Sequence, residues 1–319
     1  MNDFFPPFNF TDTFGAPWSS PEDIAWNGKI VAMGFLVSLA CGLVGTFIVV
    51  RKLALMGDAI SHGILPGLAF AFIITQSKDL VPMFIGACIA GLLCSLCIEW
   101  LQKKSPLKAD AALGLTFTSF FALGVLLISK TGQNVHIDSE CLLYGEIGFI
   151  PLSENFVVGA LELGPRPLVT MSMVALGVIL AITLFYKQLL VTSFDETLSI
   201  SLGLSVRSIH YGLMLILAIT IVASFESVGV ILVIAMLIFP STTASFFFNR
   251  IPAILFSTVP LSIVYSFGGF SLARWLDCSI AASMVVVAMA CFAVAWLFGT
   301  QDGIFKKSFL RNKFDNNSA

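Results

Sequence analysis

Apolar stretches, each about as long as a bilayer core is thick, follow one another along this chain and leave it few ways to fold. A spanning helix needs about 20 mostly apolar residues, and such stretches occupy 30–50, 53–75, 80–101, 110–129, 168–187, 208–225, 228–247, 253–271 and 278–299. The expectation is an all-α, polytopic membrane protein with eight or nine transmembrane helices. The ambiguity lies at 208–247, where "SFESVG" separates two segments that read as a hairpin or as one broken helix. Composition agrees: 57% of the 319 residues are hydrophobic and 11% charged, against roughly 25% charged in soluble domains. A net charge of −2 without a cationic stripe sets nucleic-acid binding aside.

Lys and Arg orient such a chain, because they concentrate in cytoplasmic loops. Nine alternating spans put Arg51, Lys52, Lys103, Lys104, Lys108, Lys187, Arg207, Arg250, Lys306, Lys307, Arg311 and Lys313 on one side, and leave Lys29, Lys78, Lys130, Arg166 and Arg274 opposite. The first side is therefore read as cytoplasmic. Residues 1–28 become an extracytoplasmic lead-in, 29–300 the membrane domain and 301–319 a cytoplasmic tail. The lead-in has no basic segment ahead of a short apolar core, so it does not read as a cleavable signal peptide. Cys41, Cys88, Cys94, Cys97 and Cys291 fall inside apolar runs and read as small packing residues. The Cys94/Cys97 spacing has no second ligand pair to make it a metal site.

Two connections are too patterned to be plain turns. On the inner side, "KQLLVTSFDETLSISLGLSVRSIHYG" places Phe194, Leu198, Ser201 and Leu202 on one helical face, opens with Asp195 and Glu196, and stops near Gly203. It predicts a short amphipathic surface helix at about 194–206, open to a soluble partner or lying on lipid. On the outer side, "TGQNVHIDSECLLYGEIGFIPLSENF" carries His136, Asp138 and Glu140 in alternation. An extended strand would set those three on one face as ligands; a solvated loop is the simpler reading, because exposed polar residues need no special purpose.

Inside the second span, "RKLALMGDAISHGILPGLAF" holds Asp58 and His62, four apart and hence stacked one helical turn from each other. A carboxylate at bilayer depth costs on the order of 3 kcal/mol on insertion scales, so it faces a cavity or a partner. Pro66 lacks the N–H that the His62 carbonyl would receive, and Gly63 with Gly67 forms a GxxxG that admits another helix closely. Asp oxygen with His nitrogen suits Mn(II), Fe(II) and Zn(II), whereas Cu(I) favours sulfur. Two ligands do not complete a coordination shell; the same pair from a second subunit across a two-fold axis would double the count. The pair alone equally allows a buried Asp–His hydrogen bond with no ion. Glu226, at the outer end of 208–247, is a weaker second ligand candidate beside a simple solvated position.

The blocks "FIVVRKLALMGDAISHGILPGLAFAF", "KADAALGLTFTSFFALGVLLIS", "SFDETLSISLGLSVRSIHYGLM" and "VGVILVIAMLIFPSTTAS" resemble, in order and spacing, those of the manganese/zinc/iron family of ABC importer permeases, over about 35–298. "HIDSECLLYGEI" resembles the manganese and iron branch more than the zinc branch. The resemblance implies a type II importer of the bacterial inner membrane: two permease subunits, identical or related, two cytoplasmic ABC ATPases, and an extracytoplasmic metal-binding protein that delivers the ion. It implies that Asp58 and His62 line the ion path near its outer gate, and that Asp195 to Val206 include the coupling helix, with Phe194, Asp195, Glu196, Leu198, Leu202, Gly203 and Val206 meeting the ATPase. No GxxxxGK[ST] occurs, so the chain is expected to be no enzyme, to hold no permanent cofactor, and to leave ATP to a partner. A metal–proton antiporter would use the same Asp and His without an ATPase. A membrane-embedded metalloprotease would want HExxH, whereas His62, His136 and His210 are scattered. A purely structural subunit is the remaining alternative.

Overall fold

The computed structural model describes residues 9–76, 80–131, 147–158, 161–301 and 303. Short turns at Thr11–Gly15 and Ala16–Trp18 lead into α1 (Pro21–Val50). The start of α1 follows its sequence: the Ser20 side chain accepts from the Asp23 N–H, a proline occupies the first turn, and Glu22 and Asp23 complement the helix dipole. Trp18 stacks on Phe267 at 6.0 Å between ring centroids, which pins the lead-in to the bundle. There follow α2 (Ala54–Gly63), α3 (Leu65–Thr75), α4 (Leu80–Lys104), α5 (Ala109–Thr131), a 3-10 turn (Ile147–Leu152), strands β1 (Asn155–Val158) and β2 (Leu161–Pro165), then α6 (Arg166–Phe194), α7 (Glu196–Ser201), α8 (Val206–Ser245), α9 (Ile251–Leu276) and α10 (Ile280–Phe298). The strands form a small antiparallel hairpin in which Val157 faces Glu162.

Among the described residues nine segments are long and apolar enough to cross a membrane, α2 with α3 making one and α8 making two. This answers the question left open at 208–247. Cys41 Sγ lies 3.9 Å from Ser224 Oγ, and a Cβ on adjacent Gly42 would meet Pro240 Cβ at 3.0 Å. Residues sixteen apart lie about 24 Å apart on a straight helix, too far to touch neighbouring positions of α1. The helix breaks at Gly229, whose φ of 75° and ψ of 166° suit glycine alone. Ser227, Val228 and Val230 around the break are buried, so the chain reverses inside the protein.

Helix α1 is apolar on every face, and such a helix has to be enclosed; every residue from Val37 to Ile48 is buried. Helices of the bundle approach closely where small residues line the seams. A Cβ on Gly45 would lie 1.8 Å from the Leu237 carbonyl oxygen of α8, and one on Gly67 would lie 2.1 Å from the Gly86 carbonyl of α4. Hydroxyls satisfy one another across further seams, as in Ser38 of α1 to Ser262 of α9 at 3.1 Å and Tyr265 of α9 to Thr243 of α8 at 3.2 Å. Helices α5 and α6 keep large apolar side chains exposed, among them Leu115, Leu126, Leu180 and Leu184, as a chain solvated by lipid requires.

The surface helix is shorter than expected. Instead of 194–206, only Glu196–Ser201 is helical: Phe194 ends α6 and Val206 begins α8. Asp195 is extended (φ −143°, ψ 102°) and its carboxylate accepts from the Leu198 N–H at 2.9 Å, while Gly203 is left-handed at φ 74°. Leu204 N–H donates to Ser199 and Gly203 N–H to Ile200, the paired bonds of a glycine-terminated helix.

Candidate metal centre

The site's helix starts where α1 is sharply stopped. Lys52 adopts φ 59°, and the N–H groups of Lys52 and Leu53 close back on the carbonyls of Val49 and Ile48. That is the same terminating motif, here with lysine in place of the usual glycine. Two residues later α2 begins. Its other faces are enclosed, with Met56, Gly57, Ala59, Ile60, Ser61 and Gly63 all buried. Leu55, Asp58 and His62 form the stripe left open.

Asp58 Oδ1 and His62 Nε2 are 3.5 Å apart, with the side chains 39% and 29% exposed. The His62 ring sits against Phe117 and Phe121 of α5, each with its centroid 5.7 Å away, so the imidazole is held on two sides and open on the carboxylate side. The spacing is long for a dry hydrogen bond but suits shared ligation: with bonds of roughly 2.1 Å to one cation, 3.5 Å subtends an angle of roughly 110°. Among the described residues no group of three or more His, Cys, Asp or Glu could hold a metal, so the pair is at most half of a coordination shell.

Close packing holds the pair in place. A Cβ on Gly63 would lie 2.6 Å from Cys94 Sγ, and Gly124 of α5 lies against Leu65 and Pro66, where a Cβ would meet the Leu65 Cβ at 2.7 Å. Pro66 falls in the first turn of α3, so the span breaks just past His62, at Ile64. Asp58 lies only four residues, about 6 Å, beyond the start of α2. The pair is therefore on the half of the span nearer Arg51 and Lys52, so a gate at the far end would be built from residues beyond the pair.

The other expected ligands are not brought to this site. His136, Asp138 and Glu140 lie outside the described residues. Glu226 falls within α8, three residues before the break at Gly229, and its side chain lies outside the description. The surface-helix residues gather at the basic end of the bundle. Phe194, Leu198 and Leu202 are exposed there, with Asp195 as cap and Gly203 as terminator; Glu196 opens α7 and Val206 opens α8.

Sequence reasoning missed a second polar cluster at that same end. A cavity of about 770 Å³ is lined by Arg51, Glu99, Lys103, Ser193, Arg207 and His210 among others. Glu99 is 14% exposed; His210 Nε2 contacts its Oε1, Tyr211 donates to its Oε2 at 3.1 Å, and Lys103 lies 3.4 Å from the same oxygen. Arg51 donates to Ser193 at 3.0 Å and to Thr192 at 2.8 Å; burial holds its guanidinium below the ordinary value. The available signal was a glutamate at the end of an apolar run, in "CSLCIEWLQKK", four residues before Lys103.

With this geometry in hand, similarity to known proteins is informative. The model of a family described as ABC 3 transport family matches residues 27–299. The chain is 40% identical over 283 residues to the manganese transport system membrane protein MntD of Bacillus subtilis (strain 168), covering 89% of this chain and 94% of that one. It is also 40% identical over 280 residues to the zinc transport system membrane protein TroD of Treponema pallidum (strain Nichols), covering 88% and 76%. Among solved structures, PsaBC from Streptococcus pneumoniae in complex with Fab aligns with a TM-score of 0.76 at 30% identity, covering 94% of this chain and all of that one. A polytopic helical chain matched over nearly its whole membrane domain by one family model, and by relatives of this closeness, belongs to the ABC 3 transport family.

Proposed function

We propose that this chain is the membrane-spanning subunit of an ATP-driven importer of divalent transition-metal ions. The observation that carries the reading is the half-site: an oxygen and a nitrogen ligand 3.5 Å apart on the open stripe of an otherwise enclosed helix. Two permease subunits facing each other across a two-fold axis would supply four such ligands. Relatives named for manganese and zinc support a cargo in that part of the transition series, and iron, lying between them, fits the same ligand types. Manganese is the first cargo to test.

In this reading the end carrying Arg51, Lys103 and Arg207 faces the cytoplasm, the lead-in faces outward, and 301–319 lie inside. A partner ATPase docks on the exposed apolar residues of α7 and its flanks, Phe194, Leu198, Ile200 and Leu202. A separate extracytoplasmic protein brings the ion. Asp58 and His62 of both subunits exchange its water shell for protein ligands, and ATP-driven closure of the ATPases shifts α7 and opens the path inward. Four ligands of intermediate hardness bind firmly enough to take the ion and loosely enough to release it.

The test is uptake of radiolabelled manganese into proteoliposomes holding the complete complex, with and without ATP and with a protonophore. Accumulation that needs ATP and ignores the protonophore is expected. Accumulation driven by a proton gradient without ATP would replace the reading with a metal–proton antiporter.

A further inference from the structure

We propose that Glu99, with His210 and Tyr211, is the strut that transmits movement of α7 to the helix carrying Asp58 and His62, which makes Glu99 a positioning residue for ion release. The inference rests on the transport reading above and adds a route through this chain.

The first link is the junction between α7 and α8. Only Leu202 to Ser205 separate them, and these residues are tied down. Leu204 and Gly203 bond back to Ser199 and Ile200, and Ser205 Oγ accepts from the Ser208 N–H at 3.4 Å. A displacement of α7 therefore moves the base of α8 with little slack.

The second link is Glu99. A carboxylate this enclosed at the end of an apolar helix is held by its donors, since losing one leaves a charge without compensation. Two of its three partners, His210 and Tyr211, are consecutive residues near the start of α8; the third, Lys103, is on α4 itself. The carboxylate thus fastens α4 to the part of α8 that α7 moves.

The third link runs from α4 to α2. One and a half turns above Glu99, Cys94 Sγ lies 3.7 Å from the Ala59 carbonyl, and Gly63 presses on the same sulfur. At the next turn, a Cβ on Gly91 would touch both Ala218 of α8 and Ile60 of α2 at 3.2 Å. Ala59 and Gly63 directly follow Asp58 and His62 in the chain. Contacts this close leave no free volume to absorb a shift of α4, so the shift reaches both ligands.

The experiment uses the reconstituted complex and reads ions moved per ATP hydrolysed for the wild type, E99A, H210A and the double variant. The expected result is a fall of about fivefold or more in each single variant, with ATP hydrolysis and its KM for ATP unchanged. The double variant should be no worse than either single, because the two residues act through one contact. A wild-type ratio in the single variants, or multiplied losses in the double, overturns the strut. Where an alanine variant does not assemble with its ATPase, E99Q keeps the volume and removes the charged acceptor; a wild-type ratio there overturns the proposal as well. A wild-type complex that moves no ion under ATP overturns the transport reading itself, whereas an active wild type with uncoupled variants supports both.

Discussion

Replacing Asp58 by asparagine should separate what the carboxylate does for transport from what it does for the fold. The side chain keeps its size and one oxygen, and loses its charge. Even at the dielectric of bulk water, the lower bound for a group 39% exposed, a carboxylate with a dication roughly 3 Å from its charge centre gains about 3 kcal/mol. That is a factor of about 100 in affinity. Where both subunits carry the substitution, the loss compounds toward 10⁴, so uptake at ion concentrations that half-saturate the wild type should fall below detection. Stability should move the other way or stay put, because an intramembrane carboxylate costs on the order of 3 kcal/mol and asparagine does not carry that cost. The assay pairs ATP-driven manganese uptake with a melting curve of the purified complex in detergent. Uptake within threefold of wild type, or a collapse in melting temperature that explains the lost uptake, would refute the assignment of Asp58 as an ion ligand.

Two further substitutions test the frame around the site. Gly45→Ala places a methyl carbon 1.8 Å from the Leu237 carbonyl oxygen, with backbone on both sides and no rotamer to relieve it; the cost should reach about 3 kcal/mol, the upper end for overpacking. A lower melting temperature is the readout, and an unchanged one would mean that the α1–α8 seam is looser than described. Leu198→Glu alters an exposed residue of α7, so the change in stability should stay within about 0.5 kcal/mol while co-purification with the ATPase is lost. Retained co-purification would remove α7 from the docking surface.

Much of the fold was legible because local patterns carried it. The nine spans follow from runs of apolar residues, and the end of α7 at Gly203 from a glycine where only a left-handed residue closes the helix. The close approach at Gly63 and Gly67 was visible as a small-residue spacing, and the break after His62 as a proline in the first turn of α3. What was not legible depends on distant pairs. Glu99 and His210 are 111 residues apart and each looks like a charge at the end of a span; nothing in either neighbourhood says that they touch. Lys52 carries no mark of its left-handed backbone, since the motif it closes ordinarily uses glycine. The surface helix was overestimated at both ends because apolar spacing continues through Phe194 and Val206 into α6 and α8, and a continuing period does not record the extended residue at Asp195 that divides them.

The open half-site and the tight packing behind it belong to one physical requirement. An ion bonded at roughly 2.1 Å by ligands from two subunits is released when the subunits part by a fraction of that distance, so the path needs only a small, well-aimed displacement. A small displacement survives transmission only through parts that do not yield. Ordinary side-chain packing would lose it in rotamer changes, but glycine faces do not: the Gly63–Cys94 and Gly67–Gly86 contacts set backbone against backbone or against a short thiol. The same reasoning explains why the pair is exposed on one side alone. Under the proposed reading, freedom on the enclosed side would let Asp58 and His62 follow the ion instead of leaving it, and the stiffness of α2 against α4 would turn a shift of α4 into release.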